Sequence, residues 1–95
     1  MSDNRTCRAT VTVQLPDGLH LRPLTQISRV AQSFVATVVL RKGEQTADAK
    51  RPLDLMTLAA GCGDQLDVEA NGDDACAVVK SLVRLFETNF VEDEQ

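Results

Sequence analysis

Apolar and polar positions divide the chain into seven short elements. Over residues 8–14 they alternate strictly, with Ala9, Val11 and Val13 on one side and Arg8, Thr10, Thr12 and Gln14 on the other. A period of two, rich in β-branched residues, predicts a half-buried strand. Pro16-Asp17-Gly18 ends it in a turn. Pro23 then opens a helical pattern that places Leu24, Ile27, Ala31 and Phe34 on one face. Proline suits a first helical turn because its missing N–H had no partner there. Residues 35–40 predict a second strand, Lys42-Gly43 a turn, and 44–49 a polar third strand at a sheet edge. Pro52 starts a short helix over 52–58, which Gly61 ends. Residues 65–70 alternate again, with Leu66, Val68 and Ala70 inward. After an Asn71-Gly72 turn, Asp73 or Asp74 caps a last helix. Its apolar face is Ala75, Val78, Val79, Leu82, Leu85 and Phe86, and residues 91–95 form an acidic tail expected to fray.

The order β-α-β-β-α-β-α has too few elements for a doubly wound sheet. It predicts an α+β fold, one four-stranded and largely antiparallel sheet with the helices on one face. Ninety-five residues, 43% apolar and 25% charged, fit a single domain over 1–95 with a core at about 8–88. Only three residues are aromatic, all Phe, so the core is aliphatic. No apolar run is long enough to span a membrane, and the N-terminus lacks the pattern of a secretory signal. A cytoplasmic protein without membrane insertion is expected, and a monomer.

Charge matters when divided along the chain. Residues 1–52 hold eight basic and four acidic residues, a net +4, whereas 53–95 hold two basic and ten acidic, a net −8. That asymmetry suggests a polarised molecule that docks by one pole. Nucleic acid is not an expected partner: the whole chain is acidic and no aromatics interleave with the bases. Cys7, Cys62 and Cys76 show no metal-binding spacing and accompany a single histidine, so no metal is expected and the cysteines read as reduced, partly buried thiols.

That histidine is the candidate for chemistry. It lies in Gly18-Leu19-His20-Leu21-Arg22-Pro23-Leu24, between a turn and a helix start. Helix N-terminal N–H groups and the Arg22 guanidinium make a site for a phosphoryl group. The same positive field favours a neutral, nucleophilic imidazole. There is no second general base beside it, no P-loop and no dinucleotide fingerprint. A nucleophile beside an anion cradle, without machinery for a complete reaction, describes a phosphoryl carrier better than an enzyme.

The segment 18–24 resembles the G-[LI]-H-x-R-P-[AS] signature of the HPr family, the histidine-containing phosphocarriers of the bacterial phosphotransferase system. Ala49-Lys50, Leu55-Met56-Thr57-Leu58, Gly63 and Gly72-Asp73-Asp74-Ala75 support the likeness over about residues 8–88. The resemblance implies an open-faced β-sandwich of four strands covered by three helices. It implies that His20, through Nδ1, takes phosphate from enzyme I and passes it to a downstream permease or regulatory domain. Arg22 matches the family arginine beside the phosphohistidine, and no cofactor is implied.

The departures from the family pattern are Leu21 in place of Ala or Thr, Leu24 in place of a small residue, and Arg51 where many members carry a regulatory serine. Leu21, Leu24, Leu53 and Met56 are expected around or opposite His20, rimmed by Arg22, Arg29 and Arg51, as a partner-binding surface. An alternative stands beside the carrier: a regulatory interaction module whose partner binding is gated by phosphorylation of His20.

Overall fold

The computed structural model describes residues 5–91. The elements are β1 (Thr6–Thr12), α1 (Leu21–Gln32), β2 (Thr37–Lys42), β3 (Gln45–Asp48), α2 (Pro52–Met56), β4 (Gln65–Asn71) and α3 (Ala75–Glu87). The four strands form one sheet in the order β1-β4-β2-β3, antiparallel at every pairing. Register brings the inward residues into rows: Val11 opposite Leu66, Ala9 and Leu40 on either side of Val68, Val38 opposite Ala70, and Leu40 opposite Ala47. Leu40, Leu66 and Val68 are fully buried there, under Ile27 and Ala31 of α1, Leu55 of α2 and Val78 and Leu82 of α3. All three helices therefore cover one face.

The other face is polar. Glu69 pairs with Arg8 at 3.3 Å and with Arg41 at 3.4 Å. Thr10 donates to Asp67 at 3.0 Å. Arg5–Asp73 and Lys42–Asp64 are further ion pairs between the basic and acidic halves of the chain. Four of the eight basic residues of the first half are thus paired with three of the ten acidic residues of the second. Arg22, Arg29 and Arg51 take part in none of the ion pairs among the described residues.

Several boundaries differ from expectation, each for a local reason. The first helix starts at Leu21, so Pro23 is its third residue rather than its first. That position also needs no N–H, since the first turn has no carbonyl to receive one. The helix stops at Gln32, and Phe34 packs half-buried beyond it instead of on its face. The second strand begins at Thr37, because the Val35 and Ala36 N–H groups donate to the Asp74 carboxylate at 2.9 and 2.8 Å. Asp74 does occupy the N-cap position of α3, yet its side chain makes no cap hydrogen bond. Those two donors, the Val35 N–H foremost, hold its carboxyl below the usual range. Gly61 does not end the short helix. The chain leaves α2 at Thr57 and reverses at Ala59, with φ 48°. Lys42 Nζ receives the exposed ends there, donating to the Leu58 and Ala59 carbonyls at 3.0 and 3.1 Å. Cys62 and Cys76 are exposed; only Cys7 is half-buried, as was expected of all three. The expected fraying of the acidic tail concerns residues 91–95, of which 92–95 lie outside the described residues.

Candidate functional site

The site is built where β1 hands over to α1. Gly18 adopts φ +71° and lies so close to the loop after α2 that a Cβ would stand 2.7 Å from the Ala60 carbonyl oxygen. Leu19 N–H donates to that same carbonyl at 2.9 Å. His20 follows as the N-cap of α1, with extended backbone (φ −84°, ψ −170°), and its side chain is exposed and makes no cap hydrogen bond. Its N–H bonds the Gly18 carbonyl at 3.0 Å, and its own carbonyl accepts the first helical bond, from Leu24 N–H at 3.1 Å. The Leu21 and Arg22 N–H groups precede that first bond, and Pro23 has none. The imidazole therefore stands free at the positive end of a 12-residue helix, with two backbone donors beside it.

Arg22 is exposed, but its guanidinium is held. Nη1 donates to Gln26 Oε1 at 2.8 Å and to the Phe90 carbonyl at 3.2 Å. Gln26 is 7% exposed and donates from Nε2 to the same carbonyl at 3.3 Å. Phe90 reaches this place through two successive left-handed residues, Asn89 (φ 57°) and Phe90 (φ 61°). Each such non-glycine residue costs on the order of 1 kcal/mol. The bend is held by Phe90 N–H to the Leu85 carbonyl at 2.7 Å and by the Phe86–Phe90 edge-to-face contact, centroids 4.8 Å apart. Neither Gln26 nor Phe90 was singled out by sequence. The i, i+4 spacing of Phe86 and Phe90 in a chain with three aromatics was the available signal for Phe90. A glutamine on the solvent side of a helical pattern gave none for Gln26.

The expected partner surface is brought together only in part. Leu21, Leu53 and Met56 are exposed at 62%, 77% and 51%. Leu24 is not part of it: at 3% exposure it belongs to the core with Ile27. On the helix it falls on the stripe that faces the sheet, three residues on from the exposed Leu21. Arg51 is displaced as well. Gln32, the last residue of α1, donates to the Lys50 carbonyl at 2.7 Å, while Leu19, before the start of α1, bonds Ala60. These two contacts run α1 and α2 in opposite directions. Arg51, at the N-cap of α2, and Arg29, in the last turn of α1, therefore sit toward the end of the pair away from His20. The basic side chains line the length of the α1–α2 pair rather than ring the histidine. At the helix start Arg51 faces an opposing dipole, which Asp54 in the same turn offsets.

Comparison with known proteins accords with this arrangement. A family model described as "PTS HPr component phosphorylation site" matches residues 7–88. The chain is 42% identical over 71 residues to the multiphosphoryl transfer protein of Xanthomonas campestris pv. campestris, covering 75% of this chain but only 8% of that protein. With phosphocarrier protein HPr of Treponema pallidum it shares 33% over 84 residues, 88% of this chain and 96% of the relative. The crystal structure of HPr-C-His from Thermoanaerobacter tengcongensis superposes with a TM-score of 0.86 at 28% identity, covering 93% of this chain and 99% of that one. The four-stranded antiparallel sheet with three helices on one face is that family's open-faced sandwich. With its lone histidine exposed at a helix N-cap and the family model spanning nearly all its length, the chain belongs to the HPr family of the phosphotransferase system, proteins that carry phosphoryl groups rather than catalyse as enzymes.

Proposed function

We propose that His20 is the phosphoryl acceptor, loaded by enzyme I and unloaded to a permease or regulatory domain, in the cytoplasm and as a single chain. The observation that carries this reading is the exposed imidazole at the N-cap of α1, beside the unpaired Leu21 and Arg22 N–H groups. In the loading step the lone pair of a neutral His20 ring nitrogen attacks phosphorus. An N–P bond forms there, the donor's N–P bond breaks, and its electron pair returns to the donor imidazole. The helix N-terminus stabilises the charge that arrives, and positioning supplies the rest of the rate. Arg22 supplies a cation to the phosphoryl oxygens. Leu21, Leu53 and Met56 form the apolar contact with partners, and Arg29 and Arg51 steer acidic surfaces onto the α1–α2 pair.

The test is labelling with radioactive phosphoenolpyruvate and enzyme I. His20→Ala should take no label, and label on the wild type should be lost in acid, as a phosphoramidate is. Label retained by the variant would assign the acceptor elsewhere.

A further inference from the structure

We propose that Cys7 and Cys76 form a redox-active dithiol, a modification site that hydrogen peroxide closes into a disulfide joining β1 to α3.

The two cysteines stand 69 residues apart in the chain, yet the fold brings their elements together at one end. Gly72 N–H donates to the Arg5 carbonyl at 2.9 Å, and the Arg5 guanidinium pairs with Asp73 at 3.0 Å. These contacts pin the turn before α3 to the start of β1. Cys7 lies two residues further along the strand, in the row of Ala9 and Val11, where it packs half-buried against the core. Cys76 is the second residue of α3, next to the fully buried Ala75, and is itself exposed. The Cys7 thiol shares a hydrogen bond with the Cys76 side chain and feels the charge of Lys80, one turn along the same helix face. That hydrogen bond foremost, and burial after it, raise the Cys7 thiol above its ordinary pKa.

The exposed Cys76 meets the peroxide first. Once deprotonated, its sulfur attacks one peroxide oxygen, the O–O bond breaks, and the departing hydroxide takes up the thiol proton to leave as water. The Cys7 sulfur then attacks the sulfenic sulfur on Cys76, the S–O bond breaks, and the Cys7 proton leaves with that oxygen as a second water. Two thiols are oxidised to one disulfide and one peroxide is reduced to two waters. Cys62 stands apart, in a turn whose Gly63 N–H bonds the Val13 carbonyl beyond the other end of β1. That is also the His20 end, where Leu19 bonds Ala60. The disulfide therefore ties down β1, an edge strand, at the end away from the phosphoryl site.

The test treats the full chain with hydrogen peroxide, as wild type and as Cys62→Ser, and reads the product by mass spectrometry without reductant. The Cys62→Ser monomer should become lighter by two hydrogens, with neither thiol open to iodoacetamide until dithiothreitol is added. In the wild type, which depends on no variant folding, the peptides carrying Cys7 and Cys76 should be found linked. Free alkylation of both thiols after peroxide, their separate oxidation to sulfinic acids, or a dimer joined through Cys76 would overturn the proposal. Adding Cys7→Ser should strand Cys76 as a sulfenic acid that dimedone traps; an equal dimedone adduct with Cys7 present would remove Cys7 as its partner. Because the closed loop constrains the unfolded chain, the unfolding equilibrium constant of the oxidised form should fall by about a hundredfold in urea titrations. A rise would show that the bond distorts the fold and would refute the site. Oxidised and reduced protein should accept phosphoryl from enzyme I at one rate, and a loss confined to the oxidised form would contradict the separation from His20.

Discussion

Gly18 is the residue at which one added methyl group should do most harm. The position combines a left-handed φ with a backbone oxygen 2.7 Å from the missing Cβ. Gly18→Ala should lower stability by on the order of 2 kcal/mol, read from the urea midpoint, and slow phosphoryl acceptance because Leu19 loses its purchase on Ala60. His20→Ala should behave oppositely, with stability changed by no more than about 0.5 kcal/mol, since the exposed ring makes no cap bond. The sequence showed His20 and its helix start because a histidine between a turn and a proline is a local pattern. For Phe90 it offered only the i, i+4 spacing from Phe86, and for Gln26 nothing. Their roles depend on a contact between the first helix and the end of the last, 64 residues apart in the chain.

At the scale of elements, α1 divides its leucines between two tasks. Leu24 faces the sheet and Leu21 faces solvent. Leu24→Ala should cost about 3 kcal/mol of stability, within the range for a buried leucine. Leu53→Ala in α2 should leave the unfolding transition unmoved and weaken association with enzyme I. Comparable losses of affinity without loss of stability in both would return Leu24 to the docking surface. Helix periodicity placed Leu24 correctly on an apolar face, but a face beside a reactive residue reads equally as core or as docking rim until the sheet is in place. Strand alternation was more decisive, since period two assigns inward and outward residues directly. It missed at strand ends: residues 13 and 14 lie past β1, 44 and 49 flank β3, and residues 35 and 36 precede β2 because the Asp74 carboxylate takes their N–H groups from across the fold.

For the whole molecule, acid should be the weakness. Asp74 is held low in pKa chiefly by the Val35 N–H, and Asp64 chiefly by the Gly61 N–H, followed by Lys42. As pH falls, the unfolded chain takes up these protons first. The stability they give is complete above the ordinary carboxylate range near about 4 and is lost as pH drops through the lower folded values. Denaturation midpoints measured from about pH 5 to 2 should fall more steeply for the wild type than for an Asp64→Asn, Asp74→Asn double variant. Equal slopes would remove these two carboxylates from the explanation. Association with an acidic partner should slow as salt rises, because Arg22, Arg29 and Arg51, which take part in no ion pair among the described residues, lie along α1 and α2. Arg51→Ser should weaken that association by roughly 1 kcal/mol at low salt, and an unchanged dissociation constant would leave Arg51 without a role.

The central claim is a covalent bond between phosphorus and the imidazole of His20. Since the chain holds a single histidine, the bond can be read directly from protein labelled with 15N in its imidazole nitrogens. After loading by phosphoenolpyruvate and enzyme I, the 31P signal should be split by one-bond coupling to a ring nitrogen, Nδ1 by family likeness, and the splitting should disappear with the signal in acid. An unsplit phosphorus signal that survives acid would place the phosphoryl group on another residue and contradict the account.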